Sequence, residues 1–332
     1  MTTEHATPSD LEAIRKELAR TVLSAMTMNF IVWIENPEHR DWILDAADKV
    51  SAKHPSRVVI LEACSKVKGM SLQRATHGDD TSEMTVHAQR VTIGCNAVAP
   101  DQVRETVHAL LVTGLPTVLW WTGNPFARRP TFDALVASAE SLVVNTSGLS
   151  ADESMVLELE KFMASRTPVS VRDIAWMRLS SWQDMIAQFF DNAAVREELF
   201  AIRRLRIVAG SDAEALYLGG WLGSRLGWTA CGHDEFCDRQ DVHIPFEHVR
   251  DGGARRVRSI EITTKNSVFT ANVSDGDENV VILKATGSGA RGERLVQLQS
   301  MDNASLIERA ILDSTTDEVF ETALRMVGTL LA

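Results

Sequence analysis

Two cysteines and two histidines lie close together in the second half of the chain and offer ligands that zinc prefers. Cys231, His233, Cys237 and His243 fall within thirteen residues, and thiolate and imidazole groups form tetrahedral zinc sites. Neither cysteine belongs to the C-x-x-C pair that marks strong zinc sites, and no neighbouring motif indicates an activated thiol. The sequence therefore predicts no metal and no redox role here, with zinc left as the alternative.

A glycine-rich segment, Gly287 to Gly292, satisfies the G-x-G-x-x-G pattern of dinucleotide-binding proteins. A dinucleotide site requires this pattern between a strand and a helix, so that the helix N-terminus meets the pyrophosphate. The next run, Glu293 to Gln299, alternates as a strand does, so the sequence favours a hairpin turn. The sequence also contains no P-loop, nucleophile elbow or H-E-x-x-H pattern. We therefore expect no catalytic residue and no cofactor.

Tryptophan is the most informative residue type, because the chain has eight Trp and one Tyr. Trp120 and Trp121 end an apolar run that leads into a turn. The carboxyl ends of strands bind ligands in open α/β sheets, and Trp is frequent in interface hot spots. Since neighbours on a strand point to opposite faces, both rings can also simply fill the core. If this end of the strand binds a partner, we expect Trp121, Asn124, Arg128 and Arg129 to be partly exposed and close together.

Size and composition narrow the class of protein. The 332 residues are enough for two domains, and 45% hydrophobic with 24% charged residues is ordinary for a globular chain. The net charge of −11 argues against nucleic acid as a partner. No segment has the length of a membrane span or the pattern of a signal peptide, and four cysteines do not make a disulfide scaffold. We expect a cytoplasmic protein. Two arginine-rich runs indicate solvated faces: Arg203, Arg204 and Arg206, and Arg250, Arg255, Arg256 and Arg258.

Strands alternate with helices in the first half of the chain, which predicts a doubly wound, mainly parallel α/β domain over residues 1–168. A polar, aperiodic loop is expected at 67–81, and a capped helix at 9–23. The predicted strands are 27–34, 57–63, 82–94, 117–121 and 141–144, and the predicted helices between them are 39–52, 100–113, 131–139 and 152–165.

The pattern changes after residue 168 and predicts an α+β domain over residues 169–332. A long amphipathic helix is expected at 173–191, with Trp176 and Trp182 on one buried stripe. Ser211 and Glu214 have capping-box spacing at the start of a helix over 211–226. Four short runs joined by turns predict an antiparallel meander: 259–264, 267–273, 279–285 and 293–299. Helices are expected at 306–312 and 317–331.

Several segments resemble, in order along almost the whole chain, the glucose-6-phosphate dehydrogenase assembly protein family (OpcA-like). The two most specific are G-L-P-T-V-L-W-W at residues 114–121 and D-I-A-W-M-R-L at residues 173–179. The other matching segments are 54–61, 83–94, 188–191 and 220–228, together with Trp182.

The resemblance implies a non-catalytic protein that binds glucose-6-phosphate dehydrogenase and promotes its active oligomer in the oxidative pentose phosphate pathway. The candidate partner-binding residues are then Trp120, Trp121, Asn124, Arg128, Arg129, Trp176, Arg178 and Trp182. A second class stays open: an α/β protein or enzyme that holds a sugar phosphate or nucleotide at the strand ends. A melting shift caused by such a ligand alone would indicate that class.

Overall fold

The computed structural model of the chain describes residues 12, 26–63, 69–77, 88–147, 152–165, 168–193, 195–252, 256–288, 291–299, 301–313 and 315–332. The helix predicted at 9–23 lies outside the described residues, apart from residue 12. Contacts divide the chain into two compact units, and the chain passes between them several times. The predicted domain division, 1–168 and 169–332, stays a prediction. The first unit comprises Met1–Asn145, Pro168–Arg172 and Asn303–Thr315, and the second comprises Thr146–Thr167, Asp173–Asp302 and Thr316–Ala332.

The first unit contains a seven-stranded, mainly parallel sheet. Its strands are β1 (Met28–Ile34), β2 (Ser56–Glu62), β3 (Gly69–His77), β4 (Ala88–Asn96), β5 (Thr117–Trp121), β6 (Ser141–Val144) and β7 (Ser170–Asp173). They lie in the order β3-β4-β2-β1-β5-β6-β7, with β3 antiparallel to β4 and the other six strands parallel. β1 and β5 are buried along their whole length, as expected for apolar strands covered on both faces. The predicted doubly wound α/β class is confirmed.

Four helices accompany this sheet: Arg40–Lys53, Pro100–Leu110, Arg129–Val136 and Asn303–Leu312. Two of them begin with proline in the first turn, where the missing N–H costs no helical hydrogen bond. The predicted helices at 39–52, 100–113 and 131–139 are confirmed with ends shifted by up to three residues.

The loop predicted at 67–81 is wrong for residues 69–77, which form β3. This strand pairs with β4 from Gly69 opposite Asn96 to His77 opposite Ala88. It lies at the edge of the sheet and pairs with one neighbour only. Because an edge strand need not be apolar as a central strand is, its polar sequence does not indicate a strand. Residues 78–87 lie outside the described part of the chain, so the predicted strand at 82–94 is confirmed only from residue 88 onwards.

The second unit contains an eight-stranded mixed sheet in the order β15-β14-β13-β12-β8-β11-β10-β9. Its strands, numbered along the chain from β8 to β15, are Ile202–Ala209, Thr229–Gly232, Glu235–Cys237, His243–Arg250, Val257–Thr264, Ser267–Val273, Val280–Gly287 and Gly292–Gln297. The meander β12 to β15 is antiparallel throughout, as predicted. The segment from Gly287 to Gly292 joins two of its strands, so the hairpin interpretation of the glycine pattern is confirmed. Strands β9 to β11 are not foreseen by the sequence analysis.

The helices of the second unit are Asp152–Ala164, Ile174–Met177, Ser180–Phe189, Asp212–Leu226 and Glu318–Leu330. The prediction of a single long helix at 173–191 is wrong, because the helix is interrupted at Arg178 and Leu179 and two helices form instead. Arg178 is fixed there by a buried ion pair, which a periodicity of apolar residues does not reveal. None of the described helices of either unit is long and apolar enough to cross a membrane.

The capping box predicted for the Asp212–Leu226 helix is also wrong. Ser211 occupies the N-cap position, but its side chain makes no capping hydrogen bond. Glu214, the expected partner in the box, pairs with Arg178 instead. The other end follows the sequence: Gly227 adopts a left-handed conformation, with φ of 69°, as glycine does at helix C-termini.

Candidate functional site

The carboxyl edge of the first sheet has a switch point between β1 and β5, where the strand order reverses. The Glu35 carboxylate follows β1 there and accepts a hydrogen bond from Arg128 Nε at 2.9 Å. Gly123 follows β5 with φ of 99°, and a Cβ at this position would meet Glu35 Oε2 at 2.8 Å. The positive φ therefore favours glycine at this position, and any side chain here would require the Glu35 side chain to shift.

Trp120 and Trp121 are both buried, with 2% and 0% of their surfaces exposed. Trp121 stacks on Trp33 at 4.4 Å between ring centroids, whereas Trp120 packs against Phe30 on the same strand pair. The expectation of a partly exposed Trp121 is wrong, because helices cover both faces of this sheet and each face takes one of the two rings. Their contact with a partner stays a prediction.

The residues after β5 do reach the surface, and each has a local role. The Asn124 side chain accepts a hydrogen bond from Phe126 N at 2.9 Å and caps a short 3-10 helix. Arg128 and Arg129 are about half exposed and pair with carboxylates of the same unit, Glu35 and Asp133. The Asn124 side chain therefore stabilises the turn. Of the residues predicted here to bind a partner, Arg128 and Arg129 are the accessible ones.

The exposed aromatic side chain at this edge is Trp42, which the sequence analysis does not single out. Trp42 lies in the first turn of the Arg40–Lys53 helix, which follows β1 after a short 3-10 helix, and 42% of its surface is exposed. Its ring packs on Trp120 at 5.9 Å. Beside it, Arg40 Nε donates to Glu62 Oε1 at 2.8 Å. We call Arg40, Trp42, Arg128 and Arg129 the carboxyl-edge surface.

In the second unit, Arg178 takes part in a buried ion pair. Its Nη1 donates to Glu214 Oε1 at 2.6 Å and to Ser147 Oγ at 2.8 Å. The side chains of Arg178 and Glu214 are 12% and 1% exposed. Burial raises the pKa of Glu214, and the positive charge of Arg178 opposes that rise. Burial and the guanidinium charge therefore act on this pKa in opposite directions, and the effect of burial is the larger.

Asp173 is the centre of a second buried polar group. Its carboxylate accepts hydrogen bonds from Ala175 N at 2.8 Å, from Thr146 Oγ1 at 2.7 Å and from Tyr217 OH at 2.7 Å, with Thr146 N at 3.2 Å. Burial raises the pKa of Asp173 while these bonds lower it. Burial and the nearby Asp173 charge raise the pKa of Tyr217. These bonds tie together the chain segments around residues 146, 173–175 and 217 of the second unit.

The tryptophans of the same segment are structural, as the stripe predicted. Trp176 and Trp182 are 7% and 3% exposed. Trp176 Nε1 donates to Asp317 Oδ2 at 2.9 Å, and Asp317 also caps the Glu318–Leu330 helix by accepting from Phe320 N. Partner binding through Trp176, Arg178 and Trp182 stays a prediction, and the fold offers a partner little of their surface.

Removing the Tyr217 hydroxyl tests whether the Asp173 group is structural. Tyr217→Phe is expected to lower the free energy of unfolding by about 1–3 kcal/mol, because a buried carboxylate loses one donor. Thr322→Ala is the control, since that hydroxyl is exposed and bonds only its own helix at Glu318 O. Urea unfolding of both variants gives the comparison. Equal effects of the two changes would mean that the Asp173 group contributes nothing specific.

The cysteine–histidine segment forms three short antiparallel strands, β9 to β11. Cys231 and Cys237 are joined by a disulfide, with Cα atoms 5.8 Å apart. His243 lies beside them, with Nδ1 4.0 Å from Cys231 Sγ. His233 is outside the group and pairs with Asp234 at 3.0 Å. The structure therefore brings together three of the four candidate ligands.

The fold and the buried clusters define a class: a two-unit α/β protein with a Rossmann-like sheet and a mixed sheet. Residues 47–161 match the family described as glucose-6-phosphate dehydrogenase subunit N-terminal domain, and residues 169–324 match its C-terminal domain. The chain belongs to this glucose-6-phosphate dehydrogenase assembly (OpcA-like) family.

Curated relatives carry the same family name. The chain is 28% identical over 202 residues to a Nostoc punctiforme protein named "Putative OxPP cycle protein OpcA". The aligned region covers 59% of this chain and 43% of the relative. It is 26% identical over 245 residues to the Synechococcus elongatus protein of the same name, which covers 70% and 51%. The chain spans about half the length of the curated relatives it matches.

Among solved structures, the chain is similar to a mutant of KijD10, a 3-ketoreductase from Actinomadura kijaniata in complex with TDP-benzene and NADP. The TM-score is 0.52 at 11% identity, covering 92% of this chain and 96% of that one. At this identity the likeness shows the fold alone.

A dinucleotide does not fit the switch point of this chain. Such a ligand needs a glycine-rich turn after the first strand, whose N–H groups meet the pyrophosphate. Here that turn is formed by Glu35, Asn36, Pro37 and Glu38. Pro37 lacks an N–H group, and the Asn36 side chain already accepts from Glu38 N at 2.9 Å. The turn therefore contains two acidic residues and a proline where such a ligand needs glycines.

Proposed function

We propose that this chain binds glucose-6-phosphate dehydrogenase and raises its activity without catalysing a reaction itself. The observation that carries the proposal is the match of two successive family domains, over residues 47–161 and 169–324, to one dehydrogenase-associated family. The names of the curated relatives, which refer to the OxPP cycle, point to the same process.

The chemistry of the buried groups supports the absence of catalysis. Asp173 and Glu214 are buried carboxylic acids whose pKa is raised, which is a frequent sign of a catalytic group. Both, however, are used by hydrogen bonds inside the fold. The switch point, where an enzyme of this fold holds its cofactor, presents Glu35 and Glu38 instead of a phosphate cradle. This arrangement also disfavours a sugar phosphate or nucleotide at the strand ends.

A binding protein activates an enzyme only if it binds the active state more tightly than the inactive one. A tenfold shift of that equilibrium requires about 1.4 kcal/mol of differential affinity. Tighter binding to the dehydrogenase oligomer than to its subunits is one way to achieve this difference in affinity. The activation should then depend on the concentration of the dehydrogenase.

Co-purification and a coupled activity assay test the proposal directly. The purified chain is mixed with the glucose-6-phosphate dehydrogenase of its own host, and both complex formation and dehydrogenase rate are measured. A complex at micromolar concentration and a higher rate or a lower KM are expected. Unchanged kinetics and no complex would refute the proposal. Glucose 6-phosphate or NADP added to the chain alone should leave its melting temperature unchanged.

We assign the contact surface to the carboxyl-edge surface, with Trp42 as its anchor. Truncating an interface anchor costs about 2 kcal/mol or more, so Trp42→Ala is expected to weaken dehydrogenase binding about 30-fold. The control is Phe200→Ala, which removes another exposed aromatic ring, 69% exposed, from the second unit. The control should bind within about twofold of wild type. If Trp42→Ala binds as well as the control does, Trp42 is not an anchor.

A further inference from the structure

The β9–β11 ribbon places three potential metal ligands on one face. Cys237 on β10 lies directly opposite His243 on β11, and side chains opposite each other in antiparallel strands point to the same face. Cys231 on β9, the neighbouring strand, reaches the same point. Strand pairing therefore brings the two cysteines and the histidine together, although the sequence lacks the short C-x-x-C spacing typical of zinc sites.

The distances suit one small ion. Cys231, Cys237 and His243 each offer one ligand atom, and all these atoms lie within 4.8 Å of one another. Zinc binds sulfur at about 2.3 Å and nitrogen at about 2.0 Å in tetrahedral sites, so ligand atoms around one ion stand roughly 3.5–4 Å apart. The side chains need only small rotations, once the two sulfur atoms are no longer bonded to each other.

The acidic side chain of Glu235 lies beside the imidazole, with Oε2 3.0 Å from His243 Nδ1. Its carboxylate is not among the ligand atoms of the described residues that lie within 4.8 Å of one another, so the fourth position of a tetrahedral site is left to water. Cys231 and His243 are exposed while Cys237 is buried, so an ion can enter from solvent and still be anchored on the sheet. His233, which points to Asp234, takes no part.

We propose that the dithiol form of this ribbon binds one Zn²⁺ through Cys231, Cys237 and His243, with water in the fourth position. A phosphine reductant and water convert the S–S bond into two thiols and a phosphine oxide. Zinc then displaces both thiol protons and binds the two thiolates. The disulfide and zinc forms exclude each other, because both use the same sulfur atoms. Zinc fixes the three strands to one another, as the disulfide does for two of them.

The test uses the full chain, reduced with a phosphine without oxygen and stripped of metal by a chelator. ZnCl2 is titrated in competition with a chromophoric chelator, and CoCl2 reports thiolate ligation through its charge-transfer band. The reduced chain is expected to bind one zinc with that cobalt band, and its melting temperature should rise with zinc. No zinc uptake, or cobalt binding without the thiolate band, would overturn the proposal.

Two histidine variants locate the site, and both leave the cysteines in place. His243→Ala removes a direct ligand and is expected to lower zinc affinity by more than the about 10–100-fold that loss of an outer-shell partner costs. His233→Ala, the matched control two residues from Cys231, should bind like wild type. Equal losses in the two variants, or equal retention, would refute the assignment. Zinc binding that persists in the disulfide form would place the metal elsewhere and refute it as well.

Discussion

Trp121→Ala is expected to lower the free energy of unfolding by about 3–5 kcal/mol, a large share of the about 5–15 kcal/mol that stabilises a typical domain. Its ring is fully buried and contacts side chains on two elements. It stacks on Trp33 of β1 at 4.4 Å and meets Phe132 of the Arg129–Val136 helix edge-on at 5.4 Å. Truncation leaves a cavity between strand and helix that the rigid neighbours fill only in part.

Trp121→Phe is the matched control for this loss. Trp121 Nε1 is buried and makes no hydrogen bond to the described residues, so a phenylalanine gives up ring volume but no polar contact. Its loss of stability should be clearly smaller than that of alanine. Urea unfolding measures both variants, and dehydrogenase binding is measured below their unfolding transitions. A stable Trp121→Ala protein that has lost binding would instead show that Trp121 contacts the partner.

The sequence predicts elements well where local pattern and burial agree. The run 117–121 coincides with β5, because an apolar strand covered on both faces leaves no ambiguity about its environment. β3 fails for the opposite reason, since its backbone pairing with β4 is specified by the neighbour rather than by its own polar residues. The helix break after Met177 follows from contacts distant in sequence.

The sequence predicts where the candidate residues lie along the sheet, but not which of their side chains are exposed. Placing Trp121 and Arg128 at the carboxyl edge needs only the order of strand and turn, and the structure confirms it. Which aromatic ring reaches solvent depends on how the Arg40–Lys53 helix covers the sheet, and Trp42, unlike Trp121, is exposed there. Likewise, His243 joins Cys231 through strand pairing, whereas His233, closer in sequence, does not.

Arg178→Met is expected to cost about 3–5 kcal/mol at neutral pH, because it leaves the Glu214 carboxylate buried without its positive partner. Glu214 is 1% exposed, so water cannot replace the guanidinium group. Burial already raises the pKa of Glu214 against the opposing charge of Arg178. Without Arg178, that pKa rises further above its value in the unfolded chain.

The sign of the pH dependence follows from this shift. When the folded pKa of an acid lies above the unfolded one, the destabilisation is fully present above the folded pKa. It fades as pH falls through that pKa towards the ordinary value for glutamate. The stability difference between wild type and Arg178→Met is therefore expected to shrink as the pH is lowered from neutral pH to a pH near the ordinary pKa of glutamate. Urea unfolding at the two pH values measures it.

Arg178→Met combined with Glu214→Gln separates the ion pair from simple packing. The double variant lacks both charges of this pair, so it should recover part of the lost stability at neutral pH, as replacement of whole buried pairs often does. Its stability difference from wild type should also lose the pH dependence that the unpaired carboxylate produces. If the single and double variants are equally unstable at both pH values, the penalty comes from the lost Arg178 contacts and not from the charge of Glu214.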